Sequence, residues 1–159
     1  MKNVSLLAAL FLCVACRPPG PTVVGDAAPV AVATDRPAVV WAFNADRCLS
    51  CTLTDPSRIL RGIQHRHGDA VDFVVVAITA DRERDEALVD AFLRTARLSA
   101  RVELQSAMAF TMAFGLGGPE PAVYVADAGR VVAVYGEDLE GLSDQVASLV
   151  TPDLVEGKT

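Results

Sequence analysis

Trp41-Ala42-Phe43-Asn44-Ala45-Asp46-Arg47-Cys48-Leu49-Ser50-Cys51 joins an apolar run to a Cys-x-x-Cys pair. The run starts at Ala38 and stays apolar through Phe43, the mark of a strand buried on both faces. Beyond the pair, Thr52 to Arg66 carries Leu53, Ile59, Leu60 and Ile63 at roughly helical spacing, and a helix kinked at Pro56 is expected there. A strand, two cysteines and a helix in that order suit redox chemistry, although zinc sites and structural bridges also use Cys-x-x-Cys.

The physical reason lies at the helix start. A thiol there faces unsatisfied backbone N–H groups and the positive end of the helix dipole, which stabilise its thiolate. Cys48 occupies that position, with the cation Arg47 beside it. A Cys48 thiolate would attack a disulfide, and Cys51, one turn on, would resolve the mixed disulfide.

The alternatives are weaker. A bridge across so short a loop removes little chain entropy, so stabilisation is a poor reason for it. Thirteen residues separate Cys51 from His65, a zinc-finger interval, but His65 and His67 form His-x-His instead of the finger's wider pair. One helix from Cys51 to His65 would also hold its ends about 21 Å apart. Both histidines are read as solvated at a helix C-terminus, where a cation suits the dipole. No metal and no cofactor is expected.

Outward from the pair, Gly68-Asp69 ends the helix and Val71 to Ile78 reads as a second buried strand. Asp81 to Leu98 is expected as a surface helix packing through Leu88, Ala91, Phe92 and Thr95, with Asp81 to Glu86 a solvated first turn. Val102 to Gly118 fits a short helix or an irregular connection, its Met108 and Met112 filling core. Ala122 to Ala126, the turn Asp127-Ala128-Gly129 and Arg130 to Tyr135 form a β-hairpin, and Leu139 to Val150 a closing helix with Leu142, Val146 and Leu149 on one face. The alternation is that of an α/β domain.

The N-terminus carries Lys2 and then the apolar Val4 to Ala15, a secretory signal peptide too short to span a bilayer comfortably. Its end, Cys13-Val14-Ala15-Cys16, resembles a bacterial lipobox with Cys13 in place of the usual Leu. That resemblance implies lipidation of Cys16 and a place in the cell envelope outside the cytoplasm. Arg17 to Pro37 holds five of the nine prolines and reads as a tether. The expected organisation is thus a signal peptide over 1–15, a Pro-rich tether over 16–37, a folded domain over 38–152 and a frayed tail over 153–159. With 14 Lys+Arg against 20 Asp+Glu and lysine only at Lys2 and Lys158, the chain lacks the basic patch that nucleic-acid binding needs.

Over about residues 38 to 150 the domain resembles the thioredoxin-like superfamily, and within it the extracytoplasmic TlpA/ResA-type thiol-disulfide oxidoreductases. Four features carry the resemblance: the strand Val39 to Phe43 leading into Cys48; Pro56, five residues after Cys51; the loop Phe114-Gly115-Leu116-Gly117-Gly118-Pro119-Glu120-Pro121; and the hairpin that follows it. The resemblance implies a three-layer α/β fold, a central mixed sheet flanked by helices, and a redox disulfide between Cys48 and Cys51. It also implies a cis-proline at Pro121 which, with Glu120, offers backbone groups to an extended substrate. The implied partners are a protein disulfide or thiol substrate, a membrane redox partner and, through the lipid anchor, the membrane itself. The chain departs from the pattern at Leu49-Ser50, where a Pro-containing dipeptide is common, at Arg47 and Asn44, where aromatics are frequent, and at Ala42, where thioredoxins proper bury an acid.

Overall fold

The computed structural model describes residues 36–47, 49, 53–114 and 121–151. The expected signal peptide, Cys16, most of the tether and the C-terminal tail lie outside the described residues. In chain order the elements are β1 (Ala38–Asn44), α1 (Thr54–His67), β2 (Asp72–Ile78), α2 (Arg82–Ala96), β3 (Arg101–Gln105), α3 (Ala107–Phe114), β4 (Ala122–Asp127), β5 (Arg130–Tyr135) and α4 (Leu142–Val150).

The strands form one sheet in the order β3-β2-β1-β4-β5. β1, β2 and β3 run parallel, joined through α1 and α2, while β4 is antiparallel to β1 and β5 to β4. β1 lies at the centre and is buried along its length except at Asn44, which is why it is apolar without alternation. Arg36 and Pro37 fasten its start. The Arg36 guanidinium pairs with the Asp72 carboxylate, and the Pro37 carbonyl accepts from the Asp72 N–H at 2.9 Å.

Because side chains alternate along a strand, β1 feeds two cores. Val39, Trp41 and Phe43 pack with Leu60 and Ile63 of α1, Val89 and Leu93 of α2, and Leu142 and Val146 of α4. Val40 and Ala42 pack on the other face with Val74, Val76, Tyr124, Val134 and Phe110 of α3. Helix layers on both faces of a mixed sheet are the expected three-layer architecture.

The first helix departs from expectation at its start. Leu53 forms a bend, with an i→i−4 bond from its N–H to the Leu49 carbonyl at 3.0 Å. The helix proper begins at Thr54, so Pro56 stands in its first turn. An N–H missing there is one that has few partners to lose, and the disturbance falls before the proline instead of within a continuous helix.

Other expectations are corrected. Arg101–Gln105 forms β3, paired parallel to β2, where Val102 to Gly118 was expected as a short helix or an irregular connection. α2 buries Asp85, Val89 and Leu93, with Phe92 packed beside them, whereas Leu88, Ala91 and Thr95 face solvent. Both sets have helical spacing, so the period alone does not choose between them. The turn from Asp81 to Glu86 is therefore not solvated throughout, since Asp85 is fully buried. In α3, Phe110 enters the core, but Met108 and Met112 are 75% and 83% exposed. They sit two residues either side of Phe110, on the helix surface turned away from it.

The hairpin forms as expected. Asp127 pairs with Arg130, and the loop residues Ala128 and Gly129 have φ of 47° and 77°, the positive pair of a type I′ turn that matches strand twist.

Candidate functional site

The C-terminal ends of parallel strands are where an α/β sheet releases its loops, and ligands gather there. At the end of β1 the Ala45 N–H still donates to the Ile78 carbonyl of β2 at 2.8 Å. The chain then turns. The Asn44 side-chain oxygen accepts from the Asp46 N–H at 2.9 Å, an Asx turn, and the Asn44 carbonyl accepts from the Arg47 N–H at 3.4 Å. Asn44, where the resembled pattern has an aromatic, thus shapes the loop that leads into the cysteines. Arg47 is exposed there. Cys48 and Cys51 lie outside the described residues. Between them Leu49 packs against the core, and its carbonyl accepts from the Leu53 N–H at 3.0 Å.

β4 arrives at the same end from the opposite direction. Ala122 pairs with Ala42, so Pro121, one residue earlier and half-buried in a bend, stands beside the exit of β1. Glu120 lies outside the described residues. Sequence separates Pro121 from Arg47 by more than seventy positions, and the antiparallel β1–β4 register brings them to one edge.

The start of α2 comes to this edge too. Thr79 follows β2 and its N–H donates to the Gln105 carbonyl at 2.9 Å. Its hydroxyl accepts from the Asp81 N–H at 2.9 Å and donates to the Asp85 carboxylate at 2.5 Å. The Asp81 carboxylate caps α2 by accepting from the Arg84 N–H at 3.2 Å. The Arg84 guanidinium meets Asp85 through Nε at 2.7 Å and Nη2 at 3.1 Å, and the same Nη2 reaches Asp46 at 2.6 Å. Hydrogen bonds from Arg84 and then Thr79 hold the Asp85 carboxyl below its ordinary range despite its burial. Bonds to Asp85 and then Asp46 push the Arg84 guanidinium further up.

Sequence reasoning missed this assembly. The signal for it was the interval Asp85-Val89-Leu93, which aligns the carboxylate with two core residues on one helical face. At the position of the acid buried in thioredoxins, Ala42 is fully buried and packs among apolar neighbours. Among the described residues, the buried carboxylate is instead Asp85. It is committed to Arg84 and stays ionised, so it is poorly suited to take up a proton.

His65 and His67 lie in the last turn of α1, the first exposed and the second half-buried, as expected for solvated C-terminal residues. Among the described residues, no three His, Cys, Asp or Glu side chains gather as a metal site. No described helix is long and apolar enough to cross a membrane.

No protein-family model and no curated protein matches this sequence. Solved structures do match. A secreted Mycobacterium tuberculosis disulfide oxidoreductase homologous to Escherichia coli DsbE superposes with a TM-score of 0.57 at 20% identity, over 75% of this chain and 86% of the other. The thioredoxin domain of a Bacteroides vulgatus thiol-disulfide oxidoreductase gives 0.60 at 13% identity, over 76% and 84%. A DsbF homologue from Corynebacterium diphtheriae gives 0.53 at 15% identity, over 74% and 72%. What this chain shares with them is the thioredoxin-like fold of thiol-disulfide oxidoreductases.

Proposed function

We propose that the protein is an extracytoplasmic thiol-disulfide oxidoreductase that exchanges disulfides with protein substrates through Cys48 and Cys51. The observation that carries this reading is the β1–β4 register. It sets Pro121 beside the strand exit that leads into Cys48, so a substrate strand lying along Glu120 and Pro121 would present its disulfide to that cysteine. In the reductive direction the Cys48 thiolate attacks one substrate sulfur, and the other leaves as a thiolate that takes a proton from water. The Cys51 thiolate then attacks Cys48 Sγ and expels the second substrate sulfur. Two electrons have passed to the substrate, and the pair is left as a disulfide.

With alanine at 42 and Asp85 held by Arg84, the Cys51 proton passes to solvent in this scheme. Arg47 favours the Cys48 thiolate by its charge. The apolar leader and Cys16 support a lipid-anchored position in the bacterial cell envelope, with the Pro-rich run as tether and a membrane redox partner restoring the pair.

The test is the equilibrium between the purified domain and glutathione, read by alkylation of Cys48 and Cys51, together with reduction of a protein disulfide. The expected outcome is reversible two-electron exchange, no activity in Cys48→Ser, and trapped mixed disulfides in Cys51→Ser. A potential near about −270 mV marks a reductase and one near about −120 mV an oxidant. A pair that never cycles, or full activity in Cys48→Ser, overturns the reading in favour of a binding module on the same fold.

A further inference from the structure

Asp46 stands two residues before Cys48, their Cα atoms no more than about 7 Å apart along the chain. It is bridged to Arg84, a residue 38 positions later in sequence. Arg84 in turn is anchored by Asp85, whose side chain is fully buried while those of Arg84 and Asp46 are 54% and 42% exposed. Asp85 is itself fixed from behind by Thr79 at the end of β2. The assembly runs from the sheet, through a buried carboxylate and one guanidinium, to the loop that delivers the first cysteine.

We propose that Arg84 is a positioning residue for the cysteine pair: seated on buried Asp85, it pins the 44–47 loop and offsets the Asp46 charge that would otherwise oppose a Cys48 thiolate. This rests on the oxidoreductase reading and deepens it. Among the described residues, the charged groups at this edge come from two segments: Asp46 and Arg47 on the 44–47 loop, and Arg84, Asp85 and the capping Asp81 on the start of α2. Among these Arg84 is the cation that spans two segments, touching both α2 and the 44–47 loop. A negative charge within a Debye length of a thiol disfavours its ionisation, and a positive one favours it. A thiolate stabilised in the reduced state makes the disulfide the stronger oxidant.

The experiment compares Asp46→Asn, Arg84→Gln and the double variant in glutathione equilibrium and in the pH profile of Cys48 alkylation, with thermal melting alongside. Asp46→Asn leaves the Arg84–Asp85 pair intact. It is expected to raise the equilibrium constant toward the reduced pair by roughly two- to threefold, the effect of one unit charge about 7–10 Å away in water, and to move the alkylation profile to lower pH. Arg84→Gln is expected to shift both the opposite way, and the double variant, which restores the net charge, to lie between them. A role limited to holding the loop would move both single variants in the same direction, and that result overturns the proposal. So does an unchanged equilibrium in Asp46→Asn, which decides the matter alone if Arg84→Gln fails to fold. A wild-type pair that does not cycle overturns the oxidoreductase reading and this proposal together, whereas cycling with unmoved variants overturns only this one.

Discussion

The Gln64 side chain takes both backbone groups of Ser99: its amide nitrogen donates to the Ser99 carbonyl and its amide oxygen accepts from the Ser99 N–H at 2.9 Å. This two-way bond fastens α1, the helix that follows the cysteines, to the connection between α2 and β3. At neutral pH an amide carries the donor and the acceptor that this arrangement needs, where an ionised carboxylate carries only acceptors. Gln64→Ala is therefore expected to lower stability by about 1–2 kcal/mol through the lost bonds.

Gln64→Glu separates the two halves of the interaction. Ionised, the glutamate has no hydrogen for the Ser99 carbonyl; protonated, it regains one. Its folded pKa is thus raised above the unfolded value of about 4.3. The stabilising contribution is fully present below that value and is lost as pH rises through the folded pKa. Denaturant melts should bring this variant toward wild type in acid and away from it at neutral pH. A gap between the two that does not change with pH would show that the amide donor is unimportant.

Asp85 has the opposite sign. Its folded pKa is depressed by Arg84 first and Thr79 second, so its stabilising contribution is present above the unfolded carboxyl value of about 3.9 and lost as pH falls through the folded pKa. Asp85→Asn keeps the shape but removes the charge behind those bonds, and is expected to cost about 1.5–3 kcal/mol at neutral pH. The deficit should shrink in acid as the wild-type carboxyl protonates. Equal acid limbs for both proteins in urea titrations would place the acid sensitivity in other groups.

The β4–β5 hairpin holds a local conflict that can be relieved. Ala128 has a φ of 47°, a left-handed conformation that costs an L-residue with a Cβ roughly 1–2 kcal/mol. Ala128→Asn or Ala128→Gly is expected to recover up to about 1 kcal/mol, Asn being the residue that type I′ turns prefer at that place. Gly129→Ala should lose a similar amount, because its φ of 77° penalises a side chain even though no atom lies within 4 Å of the added Cβ. Thermal melts of the three variants decide the point, and a stabilised Gly129→Ala would mean the turn relaxes to another type.

The sequence by itself determined the four apolar strands and the helices between them, but not β3, whose residues were expected in a short helix or an irregular connection. β1, β2, β4 and β5 are continuous apolar runs, and a stretch too apolar for any surface has nowhere to lie except inside a sheet. The turn Asp127-Ala128-Gly129 was legible because its chemistry is local. The position of Pro121 relative to the hairpin was also local and countable, but its place at a site was implied only by the resemblance, and the register that brings it beside the exit of β1 was not legible.

What only the tertiary structure decided was phase and pairing. In α2 two overlapping faces satisfy the helical period, and the choice between Leu88-Ala91-Phe92-Thr95 and Asp85-Val89-Phe92-Leu93 falls to the carboxylate's partners. Thr79 and Arg84 make its burial tolerable, and a buried charge is stable only when paired and hydrogen-bonded. In α3 the short sheet-facing stripe admits Phe110 and leaves Met108 and Met112 outside, a matter of how much surface the sheet offers. The Gln64–Ser99 and Arg84–Asp46 contacts join residues 35 and 38 positions apart. Periodicity carries no information over such distances, because it records which way a side chain points from its own element and not what the rest of the chain brings to meet it.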